Sequence, residues 1–78
     1  MKNIVQIIIQ KNKQQVRFFV HEQEMSFATV CALCKKEQIA LCHVQTFEEG
    51  RQLLECYIPF RDNEVFRRRL IKAAKAKA

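Results

Sequence analysis

The positively charged side chains of this 78-residue sequence are concentrated near its C-terminus. Residues 61–78 contain seven Lys or Arg and two Asp or Glu, a formal charge of +5, while the whole chain carries +6. Arginine suits phosphate because its guanidinium fork binds two oxygens at once. The pattern predicts an anion-binding surface that meets a nucleic-acid backbone or an acidic protein patch. The candidate binding residues are Arg61, Arg67, Arg68, Arg69, Lys72 and Lys75.

The four cysteines offer a second possible chemistry, a tetrahedral zinc site. Cys31 and Cys34 form a CxxC pair, and Cys42 and Cys56 follow at longer intervals. A CxxC pair with two later ligands can bind zinc. However, the second pair is not CxxC-spaced, and on an extended strand the first two thiols would point to opposite faces. The sequence therefore favours free cysteines packed as small apolar side chains, with no metal and no cofactor.

The other reactive residues form no catalytic pattern. His21 and His43 have no neighbours at a characteristic spacing, and Ser26, the only serine, has no triad residues around it. A single glycine excludes a Gly-rich phosphate loop. We expect a protein that is not an enzyme.

The basic side chains require a C-terminal helix to position them. At 100° per residue, a helix over about residues 63–76 has an apolar arc toward the core and a basic arc toward solvent. Asp62 or Asn63 can cap its first turn. The apolar arc contains Phe66, Leu70, Ala73 and Ala74. The basic arc can be a binding surface or a solvated face that maintains solubility, and the sequence leaves both open.

Four strands are predicted before that helix, over about residues 3–10, 16–21, 25–33 and 38–45. The third segment is ambiguous, because Ser26 could instead cap a helix whose apolar residues fit one arc. The frequent β-branched residues favour a strand, after which Lys35 and Lys36 would form a hairpin turn.

Aromatic residues on the second strand suggest another possible binding mode. Phe18 and Phe19 follow Arg17, as in sheet faces that stack the bases of single strands. Six phenylalanines in a small domain are more typical of a core, and the sequence favours that interpretation.

A further helix is predicted over about residues 47–58. Thr46 and Glu49 have the spacing of a capping box, and Pro59 would end the helix. The predicted fold is therefore a single α+β domain over residues 1–78, a four-stranded antiparallel meander followed by two C-terminal helices packed on one face.

Composition suggests the compartment. No run approaches the ~20 apolar residues of a membrane helix, and the apolar run at residues 4–9 is too short for a secretory signal. We expect the cytoplasm of a bacterial host cell, where thiols stay reduced. Because so short a chain has a thin core, a homodimer that buries further apolar surface is possible.

The predicted layout resembles that of some small phage-encoded anti-CRISPR proteins. The resemblance covers residues 16–74 and lies in the element order, with Phe47, Leu53, Leu54 and Tyr57 in the first helix. It implies a non-catalytic inhibitor that docks on a host nucleic-acid-handling complex. The alternative is direct DNA or RNA binding through the basic C-terminal helix.

Overall fold

The sheet is assembled from two separate parts of the chain that a helix connects. A computed structural model describes residues 4–75. The elements are β1 (Ile4–Lys11), β2 (Val16–Val20), β3 (Gln23–Met25), α1 (Phe27–Lys36), β4 (Leu41–Glu48), β5 (Arg51–Pro59) and α2 (Asn63–Lys75). The predicted start of the first strand at residue 3 and the predicted end of the last helix at residue 76 lie outside the described residues.

The five strands lie in the order β3-β2-β1-β4-β5. β1 and β4 are parallel, with Ile7 opposite Val44, and all other neighbours are antiparallel. The predicted four-stranded antiparallel meander with both helices after it is therefore wrong: the sheet is mixed, and one helix lies mid-chain. A parallel pair requires a crossover connection, and α1 supplies it.

The predicted strand over residues 25–33 is wrong because this segment begins the crossover helix. The Ser26 hydroxyl oxygen accepts a hydrogen bond from the Thr29 backbone N–H at 3.2 Å, which caps the first turn. Val30, Cys31 and Cys34 form its buried stripe. Lys35 and Lys36 therefore belong to the last helical turn instead of a hairpin.

The predicted helix over residues 47–58 is also wrong, and a hairpin takes its place. Glu49 and Gly50 both have positive φ, 52° and 84°, as a two-residue type I′ turn requires. The following residues alternate, so that Ile58 is buried while Glu55 and Tyr57 are exposed. The element order behind the anti-CRISPR resemblance is thus not the order of this fold.

Both helices pack on one face of the sheet, and the core lies between. Phe66 and Leu70 of α2 are fully buried, and Phe66 meets the Phe60 ring edge-on at a centroid distance of 4.9 Å. Strand residues complete the core, among them Ile7, Ile9, Val20, Cys42 and Val44. The opposite face, which we call the open face, has no element over it within residues 4–75. No helix in this described range has the length and apolar character needed to cross a membrane.

The hairpin between β2 and β3 lacks the residues that its turn favours. His21 and Glu22 have φ values of 52° and 65°, although type I′ turns favour Asn-Gly. We expect the double substitution His21→Asn with Glu22→Gly to raise the free energy of unfolding by about 1 kcal/mol, because L-residues other than Asn and Asp are strained there. Urea denaturation should give a higher midpoint at an unchanged slope.

The matched control for the turn is Glu37→Gly. Glu37 has a φ of −83°, so glycine relieves no strain there. An equal gain in stability at Glu37 would contradict the explanation by positive φ.

Candidate functional site

The basic residues predicted from the sequence lie on α2 and the turn before it. Phe66, Leu70 and Ala73 bury one side of this helix against the sheet, so the charged side chains point away from the core. The exposed cations are Arg61, Arg67, Arg68, Arg69, Lys72 and Lys75. We call the α2 members of this set, Arg67 to Lys75, the basic helical face.

The start of α2 is fixed by a side-chain cap. One Asp62 carboxylate oxygen accepts hydrogen bonds from the backbone N–H groups of Glu64 and Val65, at 2.8 and 3.3 Å. Glu64 in the first turn and Lys72 and Lys75 in the last turn also complement the helix dipole. At the other end, the buried Thr46 hydroxyl donates a hydrogen bond to the Ala73 carbonyl at 3.4 Å. Hydrogen bonds thus fix both ends of α2, the helix that carries the basic side chains.

The cations of the basic helical face differ in their surroundings. The Arg67 guanidinium carbon lies 5.4 Å from the Phe27 ring centroid, so Arg67 faces α1. Arg68 donates to the Glu64 carboxylate one turn earlier at 2.8 Å, an exposed pair that stabilises little. By the helical period, Arg69 and Lys72 lie on the flank away from α1.

Most of the cations in α2 and in the turn before it have no carboxylate partner among the described residues. Among residues 4–75, no ion pair involves Arg61, Arg69, Lys72 or Lys75. The two helical segments, residues 27–37 and 61–75, form what we call the helical side, and they carry eight basic and three acidic side chains. The other described residues carry four basic and five acidic side chains. The fold therefore separates charge: the helical side is strongly positive and the rest is nearly neutral.

Two further cations of the helical side were not among the binding residues predicted from the sequence. Lys35 and Lys36 are exposed in the last turn of α1 and form no ion pair with any described residue. The signal that could have found them is Ser26, whose capping position makes the following segment a helix.

The open face carries a hydrogen-bonded network of polar side chains. Gln6 donates to the Gln45 side-chain oxygen at 2.7 Å, and Gln45 donates to Glu55 at 3.1 Å. The same Glu55 oxygen lies 2.9 Å from His43 Nε2, and the His43 ring stacks on Tyr57 at 4.6 Å. The network orients the His43 imidazole beside the Glu55 carboxylate.

The predicted stacking pair is split between the two faces of the sheet. Phe18 points into the protein, where its ring meets Phe27 at 5.5 Å. Phe19 lies on the open face with the Arg17 guanidinium 5.2 Å from its centroid. Arg17 also binds Glu24 with two hydrogen bonds of 2.9 and 2.7 Å, and this contact lowers the pKa of Glu24. A single phenylalanine ring beside an arginine that is already paired with a glutamate is poorly suited to stacking several bases.

The cysteines occupy two separate places. Cys34 and Cys42 are buried with their sulfurs 3.7 Å apart, and the hydrogen bond between them raises the pKa of Cys42 and lowers that of Cys34. Burial raises the pKa of Cys31, which lies nearby on α1. Cys56 lies on the edge strand β5 and is only partly buried. Within the described part of the chain, no group of three or more His, Cys, Asp or Glu is placed to hold a metal ion.

Comparisons with protein families, with curated proteins and with solved structures give no match.

Proposed function

We propose that this protein is a non-catalytic binding protein whose basic helical face contacts the phosphate backbone of a nucleic acid. The observation that carries the proposal is a helix packed on the sheet whose exposed cations mostly lack carboxylate partners. An exposed cation without a local partner is available to replace the counterions of a polyanion.

The spacing of the cations suits a polyanion. Arg68, Lys72 and Lys75 stand at i, i+4 and i+7 and form a row along the exposed side of α2. At 1.5 Å per residue the row is about 10 Å long. Each strand of a duplex places a phosphate every ~3.4 Å along its axis, so the row can follow about three phosphates. Contacts of this kind position a protein on nucleic acid and carry little sequence preference.

The test is fluorescence anisotropy of labelled duplex DNA and RNA over a series of salt concentrations. We expect dissociation constants of about 10⁻⁴–10⁻⁶ M at physiological salt, weakening as salt rises. The variant Lys72→Ala with Lys75→Ala removes two cations of this row that form no ion pair with any described residue. Its log–log salt slope on a DNA duplex should be smaller in magnitude by about 1.8, since each neutralised phosphate contributes about 0.9.

A matched control removes the same charges elsewhere. Lys13→Ala with Arg51→Ala deletes one Lys and one Arg, both exposed and both outside the helical side. It should keep the wild-type slope. Equal losses in the two variants would mean that net charge, not the basic helical face, governs binding; no wild-type binding at physiological salt would overturn the proposal.

A second candidate function is docking on a protein. The open face exposes apolar surface, with Tyr57 57% and Ile4 47% exposed. An inhibitor that docks on a host nucleic-acid-handling complex could use this face or bring the basic helical face to an acidic partner. This function becomes the leading candidate if nucleic acid does not bind. In either case we place the protein in the cytoplasm of a bacterial host cell, where four free thiols persist.

A further inference from the structure

The two edges of the sheet differ greatly in length. β3 forms one edge with only three residues, whereas β5 forms the other with nine, Arg51–Pro59. Short edge strands are protected against pairing, while long ones present a row of unused backbone groups. No element within residues 4–75 hydrogen-bonds to the outer edge of β5.

Two features limit the part of β5 that can accept another strand. The register with β4 is interrupted near its start, where Thr46 is opposite Leu54 but Phe47 is opposite Gln52. Pro59 at its end has no N–H to donate. The regular window between them is residues 54–58, and it contains no lysine, arginine or proline. Its central residue is Cys56.

We propose that this window is a homodimer interface, in which β5 pairs antiparallel with β5 of a second copy about a twofold axis at Cys56. The result would be a continuous ten-stranded sheet. The occupant is a second copy because the window is self-complementary about its centre, as an isologous interface must be.

The register follows from the pleat and the charges. A twofold axis perpendicular to the sheet pairs residues that share a face, so the axis can pass through Glu55, Cys56 or Tyr57 but not between them. An axis at Glu55 places two carboxylates opposite each other, which is unfavourable. An axis at Tyr57 extends the pairing onto Pro59. Only an axis at Cys56 pairs all five residues.

That register gives favourable neighbours on both faces. Leu54 meets Ile58 of the second copy on the core side, which extends the apolar layer. Glu55 meets Tyr57 of the second copy on the open face, so the most exposed large apolar side chain gains a neighbour. The two Cys56 residues meet on the axis with their Cα atoms about 4.5–5.5 Å apart, within the range that a disulfide bridges.

The dimer is tested first by mass and by cross-linking. Sedimentation equilibrium in reducing buffer should give twice the 9.3 kDa of the single chain. Brief treatment with diamide should then join the two copies through Cys56. In that reaction the two thiols lose two hydrogens, the sulfurs form one bond, and the N=N bond of diamide is reduced to a hydrazine.

A matched cysteine position tests the register. Cys56→Ser alone should keep the dimer mass and abolish the cross-link. In that background, Leu54→Cys places a thiol on the same strand and face, but the two copies of residue 54 lie about 13 Å apart in this register. It should not cross-link. A cross-link through residue 54, or a monomer mass at the highest soluble concentration, would overturn the proposal.

Charge at residue 57 gives a readout that does not depend on thiols. Tyr57→Glu places a carboxylate opposite Glu55 of the second copy, twice per dimer, and should raise the dimer dissociation constant about tenfold. Tyr57→Lys places an ammonium there and should not weaken the dimer. Equal dissociation constants for the two variants would contradict the register. None of these measurements involves nucleic acid, so their failure and that of the proposed function are separate outcomes.

Discussion

Replacement of Phe66 by alanine should lower the free energy of unfolding by about 3–5 kcal/mol. Phe66 is fully buried in the first turns of α2 and meets the Phe60 ring edge-on. The substitution removes the apolar area of the ring and leaves a cavity between helix and sheet. A chain of this length has a total stability of roughly 4–12 kcal/mol, so the variant should lose about a quarter of it or more.

Chemical denaturation followed by circular dichroism measures this loss. The control is Val65→Ala, one residue earlier on the same helix, where the side chain is 44% exposed. Its cost should stay within about 0.5 kcal/mol. Similar costs at residues 65 and 66 would show that α2 does not bury the side that we describe, and the orientation of the basic helical face would fall with it.

The second large effect is a loss of stability at alkaline pH. The hydrogen bond with Cys34, and then burial, raise the pKa of the Cys42 thiol, so the folded pair keeps one proton that the unfolded chain releases at about pH 8.5. The folded-state pKa is raised, so this stabilisation is present in full below pH 8.5 and decreases above it. The slope approaches about 1.4 kcal/mol per pH unit as the unfolded thiol becomes fully ionised, so the loss is about 2 kcal/mol between pH 8.5 and 10.5.

Urea denaturation at a series of pH values in reducing buffer measures this slope. The double variant Cys34→Ala with Cys42→Ala should be less stable at pH 7, because two buried side chains are lost, yet its stability should fall less steeply above pH 8.5. The difference in slope should be about 1.4 kcal/mol per pH unit. Parallel curves for variant and wild type would contradict the assignment to this thiol pair and point to other groups.

The basic helix is the part of the fold that could be predicted from the sequence. Phe66, Leu70, Ala73 and Ala74 follow a 3.6-residue period, and the structure places the helix at Asn63–Lys75 with these residues buried and Asp62 as cap. Once Phe66 and Leu70 face the core, the direction of the arginines and lysines follows from helical geometry alone. β1 and β2 could also be predicted, because the alternation of apolar and polar residues along a strand is a local property.

Two other segments were assigned wrongly because their local signals were compatible with both states. The apolar run after Ser26 fits a strand as well as a helix, and short runs of this kind cannot be resolved by period. In the segment after Thr46, capping-box spacing competed with a Glu49-Gly50 turn, and the turn prevailed because its positive φ values fit the hairpin that β4 and β5 form.

The sequence by itself determined the amphipathic C-terminal helix and the positions of its basic residues. Only the tertiary structure decided the parallel pairing of β1 with β4, which joins residues almost forty positions apart. That pairing requires a crossover, makes α1 a helix, adds Lys35 and Lys36 to the positive side and leaves β5 as the long free edge among the described strands. The physical reason is that helical period and capping act between neighbours in sequence, whereas strand order is set by which apolar faces can be buried together.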